Sequence, residues 1–153
     1  MMGDELPCYD SDAVADALET ADAAEPIVVG IVLAGGTSSR FGEANKLLAD
    51  LDGEPLVRHA TRTLLEAALD VVIVVVGYEA EAVRAALAEF DVQLVHNPDY
   101  DAGLSTTVEK GLRAARDVAP NAVVFLPGDM PAVDSATVRQ LIDAYRAGLG
   151  TAL

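Results

Sequence analysis

The residues best equipped for chemistry in this sequence sit in one stretch, LAGGTSSRFGEANKLL, residues 33–48. It begins at the end of an apolar run. It holds Gly35, Gly36 and Gly42, the hydroxyls of Thr37, Ser38 and Ser39, then Arg40, and Lys46, one of only two lysines in the chain. Glycines let backbone N–H groups come close to phosphate oxygens, and small hydroxyl side chains add donors. Arginine grips an oxyanion with two donors at once, whereas lysine brings a mobile point charge. Together they suit a loop that holds a polyphosphate. A plain glycine-rich connector is the alternative, but links in α/β units usually run about 2–6 residues. This one reaches from residue 34 to residue 54.

Two familiar phosphate motifs are excluded. A P-loop needs lysine directly after its second glycine and Ser/Thr directly after the lysine. Here Lys46 lies four residues past Gly42 and is followed by Leu47. A dinucleotide fingerprint needs Gly-x-Gly-x-x-Gly running straight into a helix, but Gly35 and Gly36 are adjacent and a long loop follows.

Such a loop works only if rigid elements aim it. IVVGIVLA (27–34) is a continuous apolar run, as expected of a strand buried on both faces. VVIVVVG (71–77), VQLVH (92–96) and NAVVFLP (121–127) supply three further strands. Between them, residues 54–69, 79–90, 105–118 and 134–148 carry helical apolar spacing. Ser105 reads as the N-cap of the third helix, with Thr106 and Glu109 at capping-box spacing, and Gly148 reads as the stop of the last. Strand–helix alternation of this kind implies a parallel sheet with helices on both faces. In the order 3-2-1-4 the direction of winding reverses between strands 1 and 4. Ligands of open α/β sheets bind at that reversal, beyond the carboxyl ends of the strands.

A chain of 153 residues with 52% apolar content suits one domain with a real core. No apolar run reaches the roughly 18 residues of a membrane span, and no basic leader precedes an apolar segment. Cys8 is the single cysteine, and His59 and His96 are the only histidines, so a Cys/His metal cluster is excluded. These features read as a soluble, cytoplasmic protein. The formal net charge is −15. Eight of the acids fall in residues 1–25, which hold no base, leaving −7 on the remainder. Such a field repels nucleic acid and anionic membrane, so neither is an expected partner. An acidic, lysine-poor surface also suits a salt-loaded cytoplasm, with an acidic tail on an ordinary domain as the plainer alternative. Residues 1–25 read as a flexible leader and residues 26–153 as the domain.

With these residues in view, LAGGTSSRFGEANKLLADLDGEPLVRHA resembles the signature of the molybdenum cofactor nucleotidylyltransferases. Leu33, Ala34, Gly35, Gly36, Arg40, Gly42, Asn45 and Lys46 fill the family's opening pattern, with Phe41 where methionine is commoner. NPDYDAGLSTTVEKGL (97–112) resembles its second segment, in which Gly103 and Ser105 open a helix beside the nucleotide. FLPGDMPAV (125–133) resembles its third. The resemblance implies a Rossmann-like three-layer sandwich of the nucleotide-diphospho-sugar transferase type. It implies transfer of a nucleotidyl group from CTP or GTP to a phosphorylated acceptor such as molybdopterin, with release of pyrophosphate. Lys46, Arg40 and Asp129 would be catalytic, Asp129 holding Mg2+. Leu33, Ala34, Gly35, Gly36, Gly77, Asn97, Gly103, Ser105 and Gly128 would line the nucleotide with Arg40 and Lys46. NKLL and GLSTTVEKG lean toward the cytidylyl branch, and LAGG toward the guanylyl one. The family's pattern continues past the equivalent of Leu153 with further strands, a second metal-binding carboxylate and the region that grips the pterin. The chain is therefore expected to be C-terminally incomplete, holding the nucleotide-binding portion.

Smaller expectations attach to other polar residues. Asn97 could touch a ligand, although Asn-Pro is also a turn signal. Asp101 could reach ribose or acceptor, against the plainer reading of a solvated acid. His59 reads as mid-helix, packed or partly exposed, and Asp50, Asp52 and Gly53 as a turn without chemistry. A sugar-phosphate or polyol-phosphate nucleotidylyltransferase and a non-catalytic nucleotide-binding module remain as alternatives.

Overall fold

The computed structural model of the chain describes residues 26–36 and 45–148. The expected leader, residues 1–25, lies outside these, as do Thr37, Ser38, Ser39, Arg40, Phe41 and Gly42 of the loop. Four strands form the main sheet: β1 (Val28–Ala34), β2 (Val71–Val76), β3 (Gln93–His96) and β4 (Ala122–Pro127). Four helices accompany them: α1 (Leu56–Leu65), α2 (Ala80–Ala86), α3 (Leu104–Ala115) and α4 (Ser135–Arg146). All strand pairs are parallel, in the order β3-β2-β1-β4. The expected 3-2-1-4 order and three-layer α/β class are therefore what the chain forms.

The apolar runs of β1 and β2 divide between two cores because successive strand side chains point to opposite faces. Val28, Val32, Ala34, Val72, Val74 and Val76 meet α1, α2 and α4 through Val57, Leu64, Val83, Val138 and Ile142. Val29, Ile31, Ile73 and Val75 form the other core with Ala115 of α3. Each fully buried valine or isoleucine contributes roughly 1.5–3 kcal/mol of transfer free energy. Gly111 lets α3 lie close to the sheet, since a Cβ there would stand 2.8 Å from Ile31 Cγ2.

Helix ends differ from the sequence pattern where local chemistry intervenes. Glu54 and Pro55 form a short antiparallel strand with Asp50 and Leu51, so α1 starts at Leu56. The turn between them passes through Asp52 (φ 54°) and Gly53 (φ 87°), with Gly53 N–H donating to Asp50 Oδ2 at 3.3 Å. α2 is only seven residues long, because Glu79 adopts a left-handed conformation (φ 52°) and the helix closes before Leu87. Ser105 is not the N-cap of α3. That place belongs to Gly103, at φ 121°, a conformation that glycine tolerates far better than other residues. The chain therefore enters the helix two residues early and leaves Ser105 in the first turn, exposed. α4 is capped by Asp134, which accepts from Thr137 N–H at 2.8 Å. That backbone donor, followed by the Thr137 hydroxyl, holds the carboxyl of Asp134 below its ordinary range. Gly148, at φ 75°, follows the helix as its expected stop.

One ionic cluster braces α1. Glu54 Oε1 accepts from Arg62 Nη2 at 2.7 Å and Arg58 Nε at 3.1 Å. Both guanidiniums lie over the Phe90 ring, 4.6 and 5.5 Å from its centre. The Arg62 hydrogen bond, then that from Arg58, lowers the Glu54 carboxyl to about 2.

Candidate nucleotide site

The strand ends place the expected residues along one edge. β1 leads into Gly35 and Gly36, β2 into Gly77, β3 into Asn97, and β4 into Gly128 and Asp129. Backbone bonds carry the sheet one step past its formal ends. Gly128 N–H donates to Leu33 C=O at 2.9 Å and Asn97 N–H to Val76 C=O at 2.7 Å. Tyr78 N–H reaches Gly35 C=O at 3.5 Å. Gly35, Gly77, Asn97 and Gly128 thus gather at the carboxyl edge, across the reversal point between β1 and β4.

The glycines here are demanded by space. A Cβ on Gly35 would lie 2.6 Å from Thr107 Oγ1. One on Gly77 would lie 2.5 Å from Tyr100 Cβ and 2.7 Å from the Gly35 carbonyl oxygen. One on Gly128 would lie 2.9 Å from Leu47 Cδ2. Gly36 differs: among the described residues nothing stands within 4 Å of its Cβ position. Gly36 is exposed while Ala34 and Gly35 are buried and Leu33 half-buried, so the chain turns outward there.

The charged half of the edge is Lys46 and Asp129. Lys46 opens a single 3-10 turn, Lys46–Leu48, whose N-cap Asn45 accepts from Leu47 N–H at 3.0 Å. Asn45 Nδ2 also donates to Tyr78 C=O at 3.4 Å. Leu47, 5% exposed, fills the space above Gly128. This packing carries Lys46 over the end of β4, where Nζ lies 3.7 Å from Asp129 Oδ2 with both side chains nearly half exposed. Two such exposed charges gain little from each other, about 0–1 kcal/mol. They present opposite charge at one place open to solvent.

The other half is neutral and closed. Asn97 is completely buried. Its Nδ2 donates to Thr106 Oγ1 at 2.9 Å and Thr107 Oγ1 at 3.1 Å, and its Oδ1 accepts from Asp99 N–H at 3.0 Å. Thr106 Oγ1 in turn lies 2.7 Å from Gly103 C=O and 2.9 Å from Asp99 C=O. Gly103 and Ser105 are exposed beside this network, as is Asp101. His59 is half-buried, its Nε2 2.7 Å from Leu51 C=O, away from the edge. Arg40 lies outside the described residues. Sequence reasoning did not single out Thr107, Leu47 or Tyr100. Only the run of hydroxyls at 105–107 hinted at the first.

The Asp129 carboxylate is a hard oxygen donor, the kind that divalent cations such as magnesium take. Among the described residues no group of three or more His, Cys, Asp or Glu could hold a metal ion. Mg2+ commonly binds through one or two carboxylates plus substrate phosphates and water, without an all-protein cage. Asp129, nearly half exposed and 3.7 Å from Lys46, is one such carboxylate. Among the described residues no helix is long and apolar enough to cross a membrane.

Fold and site together define a Rossmann-like domain of the nucleotide-diphospho-sugar transferase type. The chain belongs to the MobA-like NTP transferase domain family, whose pattern it matches over residues 30–152. The bifunctional protein GlmU of Kineococcus radiotolerans is 37% identical over 131 residues, covering 84% of this chain and 26% of its own length. The nicotine blue oxidoreductase of Paenarthrobacter nicotinovorans is 31% identical, covering 80% of this chain and 59% of its own. Among solved structures, a nucleotidyl transferase from Methanothermobacter is 31% identical with a TM-score of 0.67, covering 78% of this chain and 58% of its own. The Rv0371c protein of Mycobacterium tuberculosis in complex with manganese is 28% identical with a TM-score of 0.59, covering 79% and 60%. The chain thus spans about a quarter of the GlmU relative and roughly 60% of the other three.

Proposed function

We propose that the chain is the nucleotide-binding part of a nucleotidyltransferase. It would take CTP or GTP and pass the nucleotidyl group to a phosphorylated acceptor, molybdopterin first among them. The observation that carries this is the pair Lys46–Asp129, 3.7 Å apart beyond the paired ends of β1 and β4, beside a glycine-lined edge. In the reaction an acceptor phosphate oxygen bonds to the α-phosphorus while the bond to the leaving pyrophosphate breaks. Lys46, with Arg40, offsets the charge that builds on the α-phosphate and the departing pyrophosphate. Asp129 would hold a divalent cation, taken as Mg2+, which would supply positive charge to offset that of the phosphates. The manganese complex of the Mycobacterium relative supports a divalent metal. The acceptor rests on the three motifs and their order.

Lys46→Ala and Asp129→Asn test this together, by calorimetric titration of CTP, GTP, UTP and dTTP with Mg2+ and with EDTA. Lys46→Ala is expected to weaken binding about ten- to a hundredfold in both conditions, since a charge-assisted hydrogen bond contributes roughly 1.5–3 kcal/mol. Asp129→Asn keeps the shape but loses the anionic oxygen, so its loss should appear only with Mg2+. Equal loss in EDTA would remove Asp129 from the metal. Preference for CTP or GTP supports the molybdopterin acceptor, and preference for UTP or dTTP a sugar or polyol phosphate. Binding without pyrophosphate release would leave a nucleotide-binding module. One relative carries an oxidoreductase's name, so a wild type that binds none of the four overturns the nucleotide reading.

A further inference from the structure

We infer that Asn97 and Thr107 form a positioning device for the first glycine of the phosphate loop: Asn97 affects the nucleotide through Thr107 and Gly35, without touching it. The inference rests on the nucleotide reading above for its consequence, but its geometry stands independently. Asn97 has no exposed surface, and both partners of its Nδ2 are hydroxyls of α3. An amide nitrogen has two protons to give, so its donors are fully used. Thr107 is also buried, and its Oγ1 lies 2.6 Å from where a Cβ of Gly35 would stand. The backbone of Gly35 therefore rests directly on the hydroxyl that Asn97 holds.

The same glycine is fixed from its other side. Gly35 C=O accepts from Tyr78 N–H, and Gly77 packs under it so closely that a Cβ there would be 2.7 Å from the carbonyl oxygen. Gly35 thus lies between β2's end and α3's first turn. Turning the Thr107 side chain would release one wall of that slot. A phosphate-binding backbone needs its N–H groups fixed before the ligand arrives, because misplacement is repaid in lost affinity. The buried hydrogen bonds supply that fixity without placing any charge in the slot.

Two variants and two readouts test the inference. Thr107→Val removes the acceptor but conserves shape, whereas Thr107→Ser keeps the hydroxyl. In nucleotide-free protein, Thr107→Val should speed hydrogen exchange of the Tyr78 amide, which is bonded to Gly35, about tenfold and shift the Gly35 amide resonance. Thr107→Ser should leave both near wild type. In nucleotide titrations Thr107→Val should weaken Kd about five- to tenfold, the loss expected for one hydrogen bond, and Thr107→Ser should restore most of it. Asn97→Asp, which keeps the acceptor for Asp99 but loses both donations, should move both readouts the same way if it folds. A Thr107→Val protein that melts earlier, with Tyr78 exchange and Gly35 resonance unchanged, would reduce the pair to ordinary packing and overturn the inference. If the wild type binds no nucleotide, the functional reading falls, and the exchange measurement still decides this one.

Discussion

The two halves of the carboxyl edge solve different problems with different chemistry. At the β1–β4 side, Lys46 and Asp129 are charged, nearly half exposed and loosely paired. At the β2–β3 side, Asn97 and Thr107 are neutral, buried and closely hydrogen-bonded. Charges buried in the floor would cost several kcal/mol each in desolvation. Neutral groups at the rim would offer a triphosphate little to hold. The molecule keeps these charges where water solvates them, above uncharged groups that are closely hydrogen-bonded.

The charged half leans on an apolar contact, which gives the largest expected effect. Leu47 seats the Lys46 turn above Gly128. Leu47→Ala removes a side chain that is 5% exposed, and comparable truncations cost about 2–5 kcal/mol. Thermal unfolding should fall accordingly, and nucleotide affinity should fall with it because Lys46 loses its support. A lowered melting temperature with unchanged affinity would show that the rim is held by something other than this packing.

The floor should break differently. Gly77→Ala places a methyl 2.5 Å from Tyr100 Cβ and 2.7 Å from a backbone oxygen, and a backbone oxygen cannot swing aside. Overpacking of this kind costs about 1–3 kcal/mol. Gly36→Ala, where the space is open, should cost far less. A melting comparison of the two alanines reads the difference, and equal losses would mean that the floor is softer than its contacts indicate.

The charged half was the more legible in the sequence, for a physical reason. Its residues are unusual types at unusual places: a lysine in a lysine-poor chain, glycines after a strand, an acid after another. The alternating apolar runs likewise announced the sheet, since β1 and β2 are buried on both faces and leave little room for polar residues. The neutral half is written in contacts between residues far apart in sequence. Nothing local says that Thr107 lies under Gly35, and Asn97 followed by proline reads equally as a turn. Ser105 misled for a related cause: as a helix-start signal it was locally good, but Gly103's positive φ began the helix earlier. The short α2 shows the same limit, since apolar spacing continues to Phe90, which the structure uses instead as a platform for Arg58 and Arg62.

Carboxylates extend the contrast. Asp129 is open at the rim, whereas Glu54 is held by Arg62 and Arg58. The folded Glu54 carboxyl lies at about 2 against an ordinary 4.5. The unfolded chain therefore binds its proton first as pH falls. The stabilisation is complete above about pH 4.5 and is lost as pH descends to about 2. Because Glu54 is partly exposed, solvent and salt screen much of the gain. Acid unfolding followed by circular dichroism should show Glu54→Gln with a flatter stability profile across that window. A variant whose profile parallels wild type would show that the arginine pair contributes nothing to acid resistance.

Salt should give the smallest effect per charge and separates rim from fold by sign. The chain carries a net −15, and repulsion among crowded carboxylates weakens as the screening length shrinks from about 10 Å at 0.1 M to about 3 Å at 1 M. Raising KCl from low to molar concentration should therefore raise the melting temperature. The same ions screen Lys46 and the triphosphate from each other, so nucleotide affinity should fall across the same range. The neutral floor has no charge to screen, and the loss of affinity in Thr107→Val should stay the same factor at every salt concentration. Lys46→Ala should lose less at high salt than at low, because the attraction it removes is already weakened. Melting curves and titrations along one KCl series measure all three. A melting temperature that is flat or falling would remove the reading of an acidic surface suited to a salt-loaded cytoplasm. A salt-dependent Thr107→Val factor would place charge where the structure has none.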